Sequence, residues 1–169
     1  MAHERWDAEE AYRRFAPAVL AYLRAAEPAL HEDLFGDVFV SVARSIHRFR
    51  GDDAALRRWL FTIARNRLLD EHRQRARRLP RTDATLVERA APAPPEPFDP
   101  NLSAALAALT PEQLEVVALR FIADLSLDDV ARITKRSVGA VKAMQHRALQ
   151  SLADALHDAA GEAPASRLS

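Results

Sequence analysis

The sequence predicts an all-α protein built from two small helical domains that are joined by a proline-rich linker. Glycine is scarce, with 4 in 169 residues, and alternating segments rich in β-branched residues, which would indicate strands, are hard to find. Five of the ten prolines fall between Pro92 and Pro100, a stretch that cannot sustain a helix. The predicted domains are residues 5–80 and 102–158, with the linker at 81–101.

Composition limits the classes of protein that the chain can represent. It contains no cysteine, which excludes disulfides and cysteine-ligated metal sites and is compatible with a reducing compartment. No metal or cofactor is implied. The first fifteen residues are charged and amphipathic, and no apolar stretch approaches the roughly 20 residues of a membrane helix. We therefore expect a cytoplasmic protein without membrane insertion.

Two amphipathic helices are predicted first, over residues 6–26 and 30–49. Pro17 is expected to kink or break the first helix. The apolar positions of the first are Tyr12, Phe15, Val19, Tyr22 and Leu23, and those of the second are Phe35, Val38, Phe39, Val42, Ile46 and Phe49. Asp33 and Asp37 lie one turn apart beside the second stripe, where like charges slightly destabilise an isolated helix. This spacing hints at a basic partner, although an ordinary solvated face is the alternative.

A loop at residues 50–55 precedes a third predicted helix at 56–78. On a helical projection one side carries Leu60, Ala64, Arg67, Leu68 and Glu71, and another carries Trp59, Thr62, Asn66, Leu69 and Arg73. Aromatic and guanidinium planes hold unstacked bases and amides read their edges, so the second side suits single-stranded nucleic acid. Trp59 could equally be a core residue. Asn66 is unfavourable in mid-helix unless its side chain has a role.

Charge is distributed unevenly along the chain. Between Arg44 and Arg81 there are twelve arginines against four acids, a formal charge of +8, whereas the whole chain is neutral. A segregated basic face can bind phosphates while the acidic remainder limits non-specific binding. The alternative is a solvated arginine-rich helix that merely reflects composition.

The second domain has the local signals of a helix-turn-helix. Thr110 to Gln113 form a capping box with proline at the first helical position, and this helix is expected to reach Phe121. Ser126 caps the next helix, which ends near Ile133. Residues 134–137 then make a turn before a longer helix from Val138, with Ser137 as its N-cap. In this arrangement the second helix of the motif lies in the major groove of DNA.

The helix from Val138 has one apolar and one polar face. Val141, Met144, Ala148 and Leu152 form the predicted buried stripe, while Gly139, Lys142, His146 and Gln150 share the opposite face, flanked by Ala143 and Arg147. Lys142, Arg147 and Gln150 are able to reach phosphates or base edges, and small residues allow the backbone to approach the groove. An ordinary amphipathic bundle helix is the alternative.

From about Trp6 to Leu156 the chain resembles bacterial RNA polymerase sigma factors of the extracytoplasmic-function group. The matching segments of the first domain are DLFGDVF from Asp33, FRG from Phe49, WLFTIARN from Trp59, and Asp70 with the arginines after it. Those of the second are LTPEQ from Leu109, ALRF from Ala118, LSL from Leu125, Val130-Ala131, SVGAVK from Ser137, and His146-Arg147-Ala148. Each segment alone is weak, but their order and spacing across two domains form a strong match.

The resemblance implies a role for each matching position. It implies a sigma factor that is not an enzyme and that binds core RNA polymerase at the β′ clamp and the β flap. Such a protein would bind promoter DNA both as duplex and as single strand. It would work at the nucleoid and be held inactive by an anti-sigma factor. Polymerase would be bound by Asp33, Leu34, Asp37 and Phe39. The minus-ten element would be bound by Arg50, Trp59, Thr62, Arg65, Asn66 and Arg73. The minus-thirty-five element would be bound by Ser137, Gly139, Lys142, Ala143, His146, Arg147 and Gln150.

Two positions depart from the family's pattern. Gly36 stands where glutamine is usual, which lowers helix propensity. Thr134-Lys135 replaces a common Leu-Gly in the turn, so Lys135 is expected to be left-handed unless the turn is of another type. The main rival class is a stand-alone helix-turn-helix regulator, which would need a dimer interface to read a palindrome, yet the sequence has no heptad seam. The third hypothesis is a helical adaptor that binds only protein.

Overall fold

The structure, a computed structural model, describes residues 5–79 and 99–161, and its regular elements in those ranges are all helices, with no strand among them. The all-α prediction is therefore confirmed. The helices are α1 (Ala8–Ala26), α2 (His31–Ser45), α3 (Asp53–Arg78), α4 (Pro100–Ala107), α5 (Pro111–Val117), α6 (Leu127–Thr134) and α7 (Val138–Gly161). Most of the predicted linker at 81–101, including Arg81, lies outside the described residues. Within the described ranges no helix combines the length and apolarity that crossing a bilayer requires.

The N-terminal unit consists of α1, α2 and α3. Helix α1 begins after Asp7, whose carboxylate accepts a hydrogen bond from the Glu10 amide at 2.7 Å, and it continues through Pro17 without a break. Helix α3 begins at Asp53, three residues before the predicted start. The reason is that the Asp52 carboxylate accepts from the Ala55 amide at 2.8 Å and so caps the helix within the expected loop.

The three helices enclose a shared apolar core. Its buried side chains are Trp6, Ala11, Phe15, Val19, Tyr22, Leu23, Leu34, Val38, Val42, Ile46, Leu56, Leu60, Phe61, Ala64 and Leu68. The predicted apolar stripes are largely buried, but Tyr12, one of the predicted apolar positions of the first helix, has a side chain that is 50% exposed. Its ring packs instead edge-on against Phe35 and Phe39 at the surface between α1 and α2.

The C-terminal unit consists of α4 to α7. The predicted capping box is present, since the Gln113 amide donates to the Thr110 hydroxyl at 3.2 Å and the Thr110 amide donates to the Gln113 side chain at 3.1 Å. The chain continues from α5 into a π-helical turn, Ala118–Ile122. Helix α4 was not predicted. It begins at Pro100, inside the expected linker, after Asp99 as N-cap.

The turn of the helix-turn-helix takes the conformation expected from its unusual residues. Lys135 is left-handed, with φ of 56°, and its amide bonds to carbonyls at the end of α6. Ser137 caps α7, because its hydroxyl accepts from the Ala140 amide at 3.1 Å. A lysine thus occupies a position that glycine would take without steric cost. The helix-turn-helix prediction is confirmed at the level of its helices and turn.

The two units pack against each other. Helix α1 lies on the π-helical turn and on α5, while α3 lies on α6. Buried side chains of the C-terminal unit, among them Leu119, Leu125 and Val130, join the core of the N-terminal unit, so one apolar cluster spans both. The Arg57 guanidinium also donates to the carbonyl of Ala123 at 3.2 Å. A smaller cluster, formed by Ala105, Leu109, Val117, Ala148 and Leu152, holds α4, α5 and α7 together.

Gly36 lies in the exposed part of α2, where an added Cβ would meet nothing within 4 Å. We expect Gly36→Ala to raise the free energy of unfolding by about 1 kcal/mol, because alanine loses less backbone entropy in a helix. Denaturant unfolding followed by circular dichroism measures the change. Gly51→Ala is the contrast, since its Cβ would lie 2.9 Å from that of Ala55 and should destabilise the protein. A Gly36→Ala protein no more stable than the wild type would contradict this expectation.

Candidate nucleic-acid interface

A cleft of about 940 Å³ opens between α3 and the end of α6. We call it the arginine cleft. It is lined by Phe49, Arg50, Ala55, Arg58, Trp59, Thr62, Arg65, Asn66, Leu69, Asp70 and Arg73 of the N-terminal unit, and by Arg132, Ile133, Thr134 and Lys135 of the C-terminal unit. All six residues predicted to contact the minus-ten element therefore lie around one cavity. Five arginines, a lysine and one carboxylate line the cleft. Arg58 and Arg65 are paired with carboxylates that are not among the lining residues, and the remaining excess of cations favours an anionic ligand.

One part of the cleft wall is aromatic. The rings of Phe49 and Trp59 lie 5.1 Å apart at an angle of 35°, and both are half-buried against the core. Trp59 packs on the core and also lines the cleft, so its side chain remains accessible from the cleft, and its role in stacking stays a prediction. An aromatic surface of this kind is suited to stacking with an unpaired base.

Polar groups on α3 lie beside this wall. Asn66 is exposed, and its side-chain amide bonds to no residue that the structure describes. The Thr62 hydroxyl donates to the Arg58 carbonyl one turn earlier, at 2.7 Å, so its remaining capacity is that of an acceptor. The Asn66 amide presents both a donor and an acceptor, the combination needed to read a base edge.

The arginines of the cleft are held in different ways. Arg50 donates to the carbonyls of His47 and Phe49 at 2.9 and 2.6 Å, which folds its side chain over the loop. Arg73 forms an exposed pair with Asp70 at 3.3 Å, and such pairs contribute little. Two others, Arg58 and Arg65, reach across to carboxylates of the C-terminal unit.

These two cross-unit pairs are close, and the Arg65–Glu115 pair is also poorly solvated. Arg65 Nε lies 2.5 Å from Glu115 Oε1, and the two side chains are only 15% and 19% exposed. Arg58 Nη1 lies 2.9 Å from Asp129 Oδ1. Tyr22 is buried beneath the same contact. Burial raises the pKa of its hydroxyl, and the negative charge of Glu115 adds to this while Arg65 opposes it.

The second surface is the outer face of α7. Val141, Ala148 and Leu152 are buried as predicted, and Met144 is half-buried. All the residues predicted to contact the minus-thirty-five element are exposed, namely Ser137, Gly139, Lys142, Ala143, His146, Arg147 and Gln150. An added Cβ on Gly139 would meet nothing within 4 Å, so the free protein has no steric need for glycine there. This face is available to a duplex without rearrangement of the C-terminal unit.

A third surface, on α2, bears the residues expected to bind polymerase. Asp33 and Asp37 are exposed and Phe39 is half-buried. Leu34, in contrast, is a core residue with only 4% exposure, so its side chain is not free to contact a partner. Leu34 was assigned to polymerase binding only through the family resemblance, and its side chain packs in the core with Val38 and Val42.

Several residues of the arginine cleft were not among the predicted site residues. Arg58 is the clearest, because its spacing from Thr62 and Arg65 puts it on the same face of α3, a signal already present in the sequence. Phe49 had been assigned only to the core stripe. Lys135 could not be found from sequence, because it enters the cleft only through the packing of the two units.

The chemistry available at these surfaces is that of binding. Within residues 5–79 and 99–161 no three histidines or acids are grouped so as to hold a metal ion. What the surfaces offer is stacking, amide hydrogen bonding and guanidinium contacts in the arginine cleft, together with a separate helix-turn-helix whose outer face is exposed. A helix-turn-helix together with an arginine-lined cleft is typical of nucleic-acid-binding proteins.

Comparison with known proteins gives the family. Residues 11–78 match the model of Sigma-70 region 2, and residues 105–154 match that of Sigma-70, region 4. The RNA polymerase sigma factor CarQ of Myxococcus xanthus is 31% identical, over 88% of each chain. The ECF RNA polymerase sigma factor BldN of Streptomyces coelicolor is 34% identical over 87% of this chain, which spans 59% of BldN's length.

A solved structure agrees with the sequence relatives. The sigma factor RpoE of Bartonella quintana, crystallised with the anti-sigma factor NepR, superposes with a TM-score of 0.74 at 26% identity, covering 88% of this chain and 96% of that one. The chain belongs to the extracytoplasmic-function group of the sigma-70 family. That family consists of transcription initiation factors, so the stand-alone regulator is not favoured.

Proposed function

We propose that this chain directs core RNA polymerase to promoters by binding the minus-thirty-five element as duplex and the opened minus-ten element as single strand. Residues 5–80 would form the polymerase and minus-ten domain, residues 81–101 the linker, and residues 102–158 the minus-thirty-five domain. The observation that carries the proposal is the grouping of Trp59, Asn66 and several arginines around one cleft, in a chain that also has an exposed helix-turn-helix.

The minus-ten assignment follows from the chemistry of the arginine cleft. In an opened promoter an unpaired base of the non-template strand would stack on Trp59 and bond to the Asn66 amide. Arg50, Arg65 and Arg73 would contact flanking phosphates, and Thr62 would offer its hydroxyl oxygen. Stacking on protein then replaces stacking on neighbouring bases, which lowers the free energy of the opened state.

The minus-thirty-five assignment follows from the exposed face of α7. Gly139 and Ala143 allow the helix to approach the groove, while Lys142, His146, Arg147 and Gln150 reach base edges or phosphates. Ser137, at the N-terminus of α7, would contact the backbone, because a helix N-terminus favours phosphate.

Protein partners are proposed on two surfaces. Asp33, Asp37 and Phe39 on α2 would bind the β′ clamp of polymerase through charge and apolar contact, and the C-terminal unit would bind the β flap. We also propose that an anti-sigma factor holds the chain, as NepR is found with its own sigma factor. The protein would work at the nucleoid in the cytoplasm and would itself catalyse no reaction.

The primary test is transcription by core polymerase with and without this chain. We expect promoter-specific transcripts only when the chain is present, and stoichiometric binding to core in a pull-down. A stand-alone regulator would bind promoter duplex without binding core. Failure to stimulate any promoter of the host genome would contradict the proposed function.

Asn66→Ala tests the role of the arginine cleft. We expect the variant, bound to core polymerase, to open the promoter about tenfold less efficiently, since one base-edge hydrogen bond of about 1–3 kcal/mol is lost. Opening is measured by the fluorescence of 2-aminopurine placed in the minus-ten element. Gln74→Ala is the matched control, because Gln74 is an exposed amide on the same helix outside the cleft. Equal opening by both variants would refute the assignment of Asn66.

A further inference from the structure

The C-terminal unit places carboxylates on the arginines that the arginine cleft would use for DNA. Glu115 on α5 pairs with Arg65, and Asp129 on α6 pairs with Arg58. Both arginines lie on the cleft face of α3, one turn either side of Thr62. Carboxylates and phosphates are both oxyanions that accept hydrogen bonds from a guanidinium. Glu115 and Asp129 therefore accept hydrogen bonds from guanidinium groups that phosphates of a bound strand would also use.

The environment of these pairs makes them more than an incidental surface contact. Glu115 and Asp129 are only 19% and 16% exposed and Arg65 is 15% exposed, so these three charges are partly desolvated, whereas Arg58 is 38% exposed. Water and salt screen such pairs less than exposed ones. Apolar burial accompanies them, because the core that spans both units surrounds Tyr22 directly beneath Glu115. Glu115 occupies the Nε donor of Arg65, so a phosphate could use that donor only by displacing the carboxylate.

The outer face of α7 is not involved. Lys142, Arg147 and Gln150 remain exposed while the units are packed together. Packing of the two units thus leaves the outer face of α7 exposed, while Arg58 and Arg65 of the arginine cleft are paired with carboxylates. Lys135 and Arg132 of the C-terminal unit also line the cleft, so the packed C-terminal unit forms one of its walls.

We propose that the C-terminal unit acts as an intramolecular competitor of single-stranded DNA, with Glu115 and Asp129 taking the place of phosphates on Arg65 and Arg58. This inference rests on the proposed function, because it takes the arginine cleft to be the single-strand site. Strand binding and packing of the two units exclude each other. The free chain binds single strands weakly, and the units separate when the strand is bound.

The test compares two double variants of the full chain. Glu115→Gln with Asp129→Asn removes the competing charges with almost no change in shape. Glu112→Gln with Asp128→Asn is the matched control, because these acids lie on the same two helices, are exposed, and pair with no described arginine or lysine. Both variants change the net charge by +2. The probe is a short fluorescein-labelled single-stranded DNA of mixed sequence, followed by anisotropy.

We expect the Glu115/Asp129 variant to bind the strand about tenfold more tightly than the control, since the binding-competent fraction rises when the packed state is weakened. Binding of promoter duplex should change equally in the two variants. Equal affinities for single-stranded DNA would overturn the proposal.

Separation of the units is tested independently of these substitutions. The chain has no cysteine, so Ala43→Cys and Ala153→Cys, both exposed and one on each unit, accept a donor and an acceptor dye. Saturating single-stranded DNA should lower the energy transfer between them, and unchanged transfer would overturn the proposal. The proposed function is judged separately by transcription with core polymerase, which the wild-type chain must support whichever way the binding comparison falls.

Discussion

Replacing Lys142 and Arg147 together by alanine is expected to weaken the binding of promoter duplex by the polymerase complex at least about thirtyfold. Each such side chain in a major groove contributes on the order of 1 kcal/mol or more, and 2 kcal/mol corresponds to roughly that factor. Both side chains are exposed on α7, so the change should leave the fold intact. Binding is measured by anisotropy of a labelled duplex over a range of salt concentrations.

The salt dependence separates two kinds of contact for Lys142 and Arg147. A lost phosphate contact lowers the slope of log affinity against log salt by about 0.9, whereas a lost base contact relaxes specificity at one position. Arg5→Ala with Arg13→Ala is the control, because it removes the same charge from exposed positions at the start of the chain. If both double variants bound the duplex equally well, α7 would not be the reading helix.

Phe61→Ala is expected to have the largest effect on stability, a loss of about 3–5 kcal/mol in the free energy of unfolding. Phe61 is fully buried in α3, and its ring meets that of Tyr22 edge-on, with centroids 5.6 Å apart. The loss is a large share of the roughly 5–15 kcal/mol that stabilises a typical domain. Denaturant unfolding followed by circular dichroism provides the measurement.

Phe121→Ala provides the comparison for Phe61→Ala. Its side chain is 53% exposed on the π-helical turn, where it contacts the Arg120 guanidinium. Phe121→Ala should lower the free energy of unfolding much less than Phe61→Ala does, because the exposed ring of Phe121 buries little apolar area. A loss for Phe61→Ala as small as that for Phe121→Ala would show that the core around Tyr22 does not depend on Phe61.

Local signals explain which parts of the fold were predictable. A cap is formed within three residues, so Thr110 with Gln113 and Ser137 with Ala140 could be recognised from sequence and are present as expected. The left-handed Lys135 was one of the two outcomes expected, because the family that the chain resembles commonly has glycine at this position of the turn. Helix α4 was missed, since an alanine-rich segment beside prolines carries little amphipathic pattern and is held mainly by packing on α7.

The candidate site was predictable to the extent that it lies on single helices. Trp59, Asn66 and Arg73 share a face of α3 at helical spacing, and Lys142 and Gln150 share a face of α7. The sequence could not decide whether Trp59 packs on the core or lines a binding surface, because a half-buried side chain is able to do both. Tyr12, a predicted apolar position, is half-exposed, and Leu34, assigned to polymerase binding by resemblance, is buried, since periodicity gives a stripe but not its width.

By itself the sequence determined two helical units, the caps that begin their helices, the helix-turn-helix and the basic face of α3. These depend on residues within a few positions of one another, whose geometry a helix imposes. Only the tertiary structure decided that Arg58 meets Asp129 and Arg65 meets Glu115, pairs that lie 71 and 50 residues apart. No local pattern encodes such pairs, because they arise from burial of apolar surface between the units, which brings the charges together.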